Sequence, residues 1–372
     1  RRAAAAAAGE SPSWARWSQF VQRRPWPAVL VAVLILLALA SPALHMRLGT
    51  SDAGLDPPDT TTRNAYDTIA KGFGAGVNGS FLLATQLSKP GDDAGAKTIA
   101  AAVARDPDVA IVTPPQLSPD KQIATVVAFP KTGPREQATT RLLERLRGDV
   151  LPGVERETGA TVYVGGQTAS QEDFTDVIAG KLPLFVGSVV LLSALLLMAV
   201  FRSFFIPVKA ALMNLLSIGA ALGFVTLVFQ DGLFADALGS GSGPIESFVP
   251  VMLFAIVFGL SMDYEMFLVS RMHEEWQGTE DPSRAVRNGL ATTGRVITAA
   301  ALIMIVVFAT FGLGPDRVIK EFGLGLAMAV LLDAFVIRIL LVPALMQLAG
   351  RWAWWLPPAL ARRLPQVALE RE

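Results

Sequence analysis

The sequence predicts an α-helical membrane protein: six transmembrane helices, with one α+β domain inserted between the first and the second. Three observations carry that reading. Of its 372 residues 52% are hydrophobic, and the mean hydropathy is +0.45, more apolar than a soluble domain usually is. Six apolar runs, about 27–44, 182–201, 210–230, 248–269, 296–313 and 323–348, each approach the ~20 residues a helix needs to cross hydrocarbon. A single long hydrophilic stretch, 45–181, separates the first run from the other five.

Taken in order, 1–26 is expected to be a cytoplasmic linker or tail. Its Ala-rich start, Arg1 to Glu10, reads as a linker from a longer protein or an artificial end. Helix 27–44 follows, anchored by Arg23, Arg24 and Trp26 at headgroup level. It carries no convincing cleavage site, so a signal anchor or internal span is expected. The five-helix bundle occupies 182–350 and a cytoplasmic tail 351–372. Basic residues set the orientation: Arg16, Arg23 and Arg24; Arg202 and Lys209; Arg271, Arg284, Arg287 and Arg295; Arg351, Arg362 and Arg363. The loop 231–247 has Asp231, Asp236 and Glu246 but no Lys or Arg. Both termini therefore face the cytoplasm and 45–181 lies outside it. Arg317 and Lys320, on an outer turn, are a mismatch that Asp316 and Glu321 balance.

Within 45–181 the pattern reads β-α-β-β-α-β. Strands are expected at Ser80–Thr85, Val109–Val112, Ile123–Phe129 and Thr161–Val164, with helices at Ala94–Arg105 and Glu136–Arg147. That order is a split β-α-β unit of ferredoxin-like type. A helix from about Ser170 is expected to run straight into the second span. Between spans four and five, Asp281 reads as an N-cap with Pro282 at the first helical position, opening a short basic helix on the inner surface. Gly219 and Gly223 form a small-xxx-small pair that permits close helix packing.

Composition excludes several chemistries. The 32 basic and 32 acidic residues cancel, so overall charge gives no reason to expect nucleic acid. The absence of cysteine removes disulfides and thiolate metal sites. His273-Glu274 opens like a zinc HExxH, but Gln277 stands where the second histidine belongs. Gly259-Leu260-Ser261-Met262-Asp263 lacks the last glycine of a nucleophile elbow. Gly239–Gly243 reads as a flexible loop, and Asn78-Gly79-Ser80 is a weak glycosylation match. No metal, cofactor or catalytic constellation is expected.

The ionisable residues inside the spans stand out. Asp263 lies about 15 residues into span four, past its midpoint, with Tyr264 beside it. A central membrane Asp costs about 2.5–3.5 kcal/mol on insertion scales and often marks an ion or proton path. Its other reading is a tie between two helices. Asp333, in span six, is open to the same two readings. Arg338 is five residues further on, not a full turn, so a direct pair is not expected; Arg338 should snorkel or pair near the inner boundary. Thr292, Thr293 and Thr298 either continue a polar path or satisfy backbone carbonyls. Glu265 reads as wet and ion-paired, with proton entry as the other reading.

The string Gly259-Leu260-Ser261-Met262-Asp263-Tyr264-Glu265-Met266-Phe267-Leu268-Val269-Ser270-Arg271 resembles the signature of MMPL transporters in the RND superfamily. Ala291–Thr298, Leu331–Arg338 with Leu341–Ala344, Phe201–Ala210 and Trp354–Pro357 resemble the family's other motifs. The resemblance implies an RND half-transporter whose domain 45–181 is a porter domain. It implies a proton relay at Asp263 and Tyr264 with H⁺ as the coupling ion; Asp333, Thr293 and Thr298, singled out above by their position in the spans, are the further relay candidates. It also implies export of lipids or other hydrophobic molecules across the bacterial cytoplasmic membrane. Full-length members have two six-span halves; this chain has one Asp-Tyr pair, so its partner would be the other half or a second copy. The alternatives are an accessory subunit of protein export and a non-transporting, lipid-binding receptor or scaffold.

Overall fold

The computed structural model describes residues 12–358. The Ala-rich start, Arg362 and Arg363 lie outside them. Among the described residues six helices are long and apolar enough to cross a membrane: Pro25–His45, Gln167–Phe201, Phe205–Gln230, Val249–Thr279, Pro282–Leu313 and Arg317–Trp354. They are called spans one to six below.

All six begin earlier than the apolar runs or run on past them, most of all spans two, four, five and six, where polar residues continue the helix beyond the hydrocarbon. Span two is unbroken from Gln167, through Pro183, to Phe201. Asp281 does cap span five, accepting from the amides of Ser283 and Arg284 at 3.0 and 3.3 Å. The helix it opens is not a separate interfacial piece, however. It continues from Pro282 to Thr310, since nothing after Pro282 removes a backbone donor. Gly289 and Gly294, which on their own would weaken it, are held by close contact with Met272 and Trp14.

Span three sits at the centre, touching spans one, two, four and six. Most of its residues are buried, whereas the most apolar stretches of spans two and five bury few of theirs; span five packs through its earlier half, where Val286, Leu290 and Ile297 are buried. Span six is irregular. Its α-helix Arg317–Leu331 widens over Leu332–Leu341 into i→i+5 hydrogen bonding before resuming at Val342–Ala349.

The region between spans one and two folds as a sheet of order β3-β5-β2-β6. Here β2 is Phe81–Gln86, β3 Val109–Val112, β5 Ile123–Pro130 and β6 Thr161–Gly165. All three pairings along that path are antiparallel, and short β4 (Gln116–Leu117) adds to β5. Alternate residues Phe81 and Leu83 of β2, and Ala124, Val126 and Ala128 of β5, are buried. With Phe81, Leu83, Val126 and Ala128 the helices Asp93–Ala104 and Gln137–Arg145 contribute Ile99, Val103, Leu142 and Leu143 to one core, while Ala124 packs in a smaller cluster with Leu87 and Ala96. A further helix, Thr61–Phe73, has no buried residue.

The sheet domain is stitched to the bundle. Strand β1 (Leu48–Gly49), just past span one, pairs in parallel with β7 (Ile245–Glu246), just before span four. Ser247 donates to the Gly49 carbonyl at 2.8 Å and shares a 2.6 Å hydrogen bond with Thr175 on span two. Movement of span two is thereby tied to both the sheet domain and the head of span four.

Candidate functional site

Span four is a regular helix, so successive side chains point about 100° apart. Ser261 and Glu265, four residues apart, face inward and are buried. Asp263 faces outward and is exposed, in a continuous stripe with Met252, Ala255, Gly259, Phe267 and Arg271. Tyr264 lies between the two faces.

The inward face meets spans three and six in a network of four charges. Lys209 Nζ is 2.5 Å from Glu265 Oε1, and Arg338 Nη1 is 3.6 Å from Glu265 Oε2. Arg338 Nε donates to Asp333 Oδ2 at 2.8 Å, and Nη2 donates to the Ser261 carbonyl. Two cations thus meet two carboxylates, all buried. Enclosing unpaired charges in hydrocarbon would cost several kcal/mol each, so mutual compensation is what makes the cluster tenable.

Ser261 is the branch point. Its Oγ lies 2.6 Å from Asn214 Oδ1 and 2.9 Å from Asp333 Oδ1, while Arg338 Nη2 donates to it at 2.8 Å. A hydroxyl has one proton, so it serves either the amide or the carboxylate at any moment. Asn214 Nδ2 is buried without a partner.

The direct Asp333–Arg338 pair corrects the expectation from sequence. Five residues do not stack on an α-helix, but they do where the backbone widens to i→i+5, as it does at Leu332–Leu341. Nor does Arg338 snorkel: its side chain is 1% exposed. Glu265 is ion-paired but dry, and Lys209, read as a loop charge, belongs to the span-three helix.

Of the five candidates, Asp333 and Tyr264 come together around Arg338, whose guanidinium carbon lies 5.4 Å from the Tyr264 ring centre. The Tyr264 hydroxyl points to Met304 Sδ at 3.7 Å. Asp263 is next in sequence but on the open side. Thr293 and Thr298 donate to the carbonyls of Gly289 and Gly294, and Thr292 to Asn288, each within its own helix. Sequence reasoning missed Asn214 and Ser261. An amide in the interior of the apolar run of span three was the available signal for Asn214. Ser261 was weighed only as a failed nucleophile.

Six apolar helices enclosing a neutralised network of charges define a multi-pass membrane protein. The family model for the MMPL family matches residues 57–368, and the chain belongs to that family, whose members are transporters. It is 37% identical over 358 residues to membrane protein YdfJ of Bacillus subtilis, covering 95% of this chain and 49% of that protein. It is 36% identical over 372 residues to the mycolic acid-containing lipids exporter MmpL11 of Mycolicibacterium smegmatis, covering 98% and 39%. It is 38% identical over 371 residues to the heme uptake protein MmpL11 of Mycobacterium tuberculosis, covering 98% and 38%. The chain spans about half the length, or less, of these curated relatives.

Proposed function

We propose that the chain is one half of a proton-driven exporter of lipids or other hydrophobic molecules, acting without covalent chemistry on its cargo. The observation that carries this reading is the placement of Asp263 and Tyr264. Asp263 stands on an open helix face at membrane depth, while Tyr264 packs against the charge network through Arg338. A carboxylate left against lipid is costly, so the face of Asp263 calls for a partner: the other six-span half or a second copy of this chain. Proton binding there alters charge beside Tyr264. Arg338, Asp333 and Ser261 then carry the change to spans three and six.

In this reading the β3-β5-β2-β6 sheet is a ferredoxin-like porter domain outside the cytoplasm, and both termini are inside, in a bacterial cytoplasmic membrane. The charge asymmetry of the loops supports it. So do the two basic residues that ran against it. Arg317 is buried against Glu321 and four backbone carbonyls, and Lys320 donates to the Leu238 carbonyl, so neither is a free surface charge.

The test is Asp263→Asn in the complete transporter, reconstituted in vesicles with an imposed proton gradient. Insertion and folding should match the parent, and gradient-dependent flux of a lipid cargo should vanish. Undiminished flux in the variant would falsify the relay. The sign of the flux is part of the measurement, since relatives are named for both export and uptake.

A further inference from the structure

A cleft of about 620 Å³ opens where the sheet domain meets the segment before span four. That is within the volume range of small-molecule sites. Arg47, Arg135 and Arg141 line it, with Tyr66 on one wall and Ser242–Pro244 on another. Three guanidinium groups face one carboxylate in the lining, Glu136, whose Oε1 is taken by the Gly133 amide at 2.8 Å.

The three arginines are not equally committed. Arg135 is paired with Asp52 at 3.0 Å and lies over the Tyr66 ring at 6.0 Å. Arg47 donates to the Arg135 carbonyl at 3.2 Å, and Glu172 stands near it in the adjoining recess. Arg141 is exposed, and among the described residues it has no ion pair or side-chain hydrogen bond. Positive valence therefore remains at Arg47 and Arg141, beside the better-anchored Arg135.

The wall opposite is held rigid. Buried Arg317 donates to the carbonyls of Gly241, Gly243 and Pro244 at 3.2, 3.0 and 3.1 Å. That fixes a glycine-rich stretch that would otherwise be pliant, and it costs the cleft no charge because Arg317 is matched by Glu321.

An apolar track leads away. Tyr66, Ile69 and Phe73 fall at i, i+3 and i+7 on the helix Thr61–Phe73, and the last two are 39% and 76% exposed. Arg47 is two residues past span one, which puts the cleft at headgroup level when the sheet domain stands on the membrane surface. Guanidinium groups recognise phosphate, sulfate and carboxylate through paired N–H donors.

We propose that this cleft is a binding site for an anionic amphiphile, its oxyanion headgroup held by Arg47, Arg135 and Arg141 and its chain laid along Tyr66, Ile69 and Phe73. It is thus a selectivity site for the cargo of the exporter; its role as a cargo site and the sidedness of the sheet domain rest on the reading above, while the binding itself does not.

The test is equilibrium binding to the full chain in nonionic detergent, read by anisotropy of lysophosphatidylglycerol with a fluorescent chain. Lysophosphatidylcholine with the same chain is the zwitterionic control, and inorganic phosphate is the competitor. The anionic probe should bind at least about tenfold more tightly, the scale of one charge-assisted hydrogen bond. Arg47→Gln with Arg141→Gln should remove that preference. Arg141→Gln alone should reduce it, and because Arg141 is exposed and unpaired among the described residues, the variant's thermal unfolding midpoint should match the parent's, which separates lost binding from lost folding. Equal affinity for the two lysolipids, or an unchanged preference in the double variant, overturns the proposal. Displacement by phosphate as effective, mole for mole, as by the lysolipid overturns the amphiphile in favour of a free anion. The assay uses no proton gradient, so Asp263→Asn should bind like the parent, and failure of the relay and failure of this site are separately visible.

Discussion

Lys209 Nζ and Glu265 Oε1 are 2.5 Å apart, with side chains only 2% and 4% exposed, joining the start of span three to the middle of span four. Removing one partner of such a pair leaves an uncompensated buried charge, typically a loss of about 3–5 kcal/mol. The two single changes should differ. Lys209→Met leaves Glu265 with Arg338 at 3.6 Å, whereas Glu265→Gln leaves two cations with Asp333 alone. Glu265→Gln is therefore expected to lower the unfolding midpoint in detergent more than Lys209→Met. Lys209→Met combined with Glu265→Gln should recover much of the Glu265→Gln loss. Equal, additive effects would show that the pair is not coupled.

The same residues show what the sequence made legible and what it did not. Hydrophobic length sufficed for six spans, and the alternation in 80–129 for the strands, because both follow from local periodicity. Lys209 and Glu265 were misjudged because their nearness to a span end suggested water, and burial depends on which helix lies opposite. Arg338 and Asp333 were misjudged for another reason. A five-residue spacing reads as unpaired on an α-helix, and nothing in Leu332–Leu341 announces the wider turn that brings them together. The β1–β7 tie joins two-residue strands almost 200 positions apart, too short to carry a pattern. Asp263 was visible at once as a costly carboxylate; its outward direction depended on knowing which face of span four the other helices cover.

Acid should loosen the sheet domain through Asp106. Arg145 grips this carboxylate with two hydrogen bonds, 3.1 and 2.9 Å, and also pairs with Asp108 at 2.5 Å. Burial of Asp106 favours its neutral form, but the Arg145 bonds, the Asp108 amide and the Arg145 charge outweigh it, holding the carboxyl below its ordinary 3.8. A depressed folded pKa stabilises fully above the unfolded value, and that stability is lost as pH falls through the folded one. Arg145→Met should thus cost most near neutrality. Its deficit in thermal midpoint should narrow as pH drops below about 3.8. A deficit that stays constant between pH 7 and pH 3 would assign the role of Arg145 to packing instead.

At Gly223 span three lies directly against the backbone of span one. A Cβ there would fall 1.9 Å from the Leu39 carbonyl oxygen and 3.1 Å from Ala40 Cα, both backbone atoms that cannot swing aside. Four residues earlier on the same helix face, a Cβ on Gly219 would meet only the Ala40 side chain, at 3.7 Å, an ordinary contact. The small-xxx-small pair is therefore unequal: one glycine permits the crossing and the other merely adjoins it. Gly223→Ala should force the helices apart and destabilise by at least the ~1–3 kcal/mol typical of overpacking, whereas Gly219→Ala should be near neutral. Thermal unfolding of the two variants in one detergent decides it. Because span three also carries Lys209 and Asn214, the shift in Gly223→Ala should spread to the charge network, lowering transport more than the stability loss alone explains. A Gly219→Ala protein as damaged as Gly223→Ala would mean that the spans pack elsewhere than at Gly223.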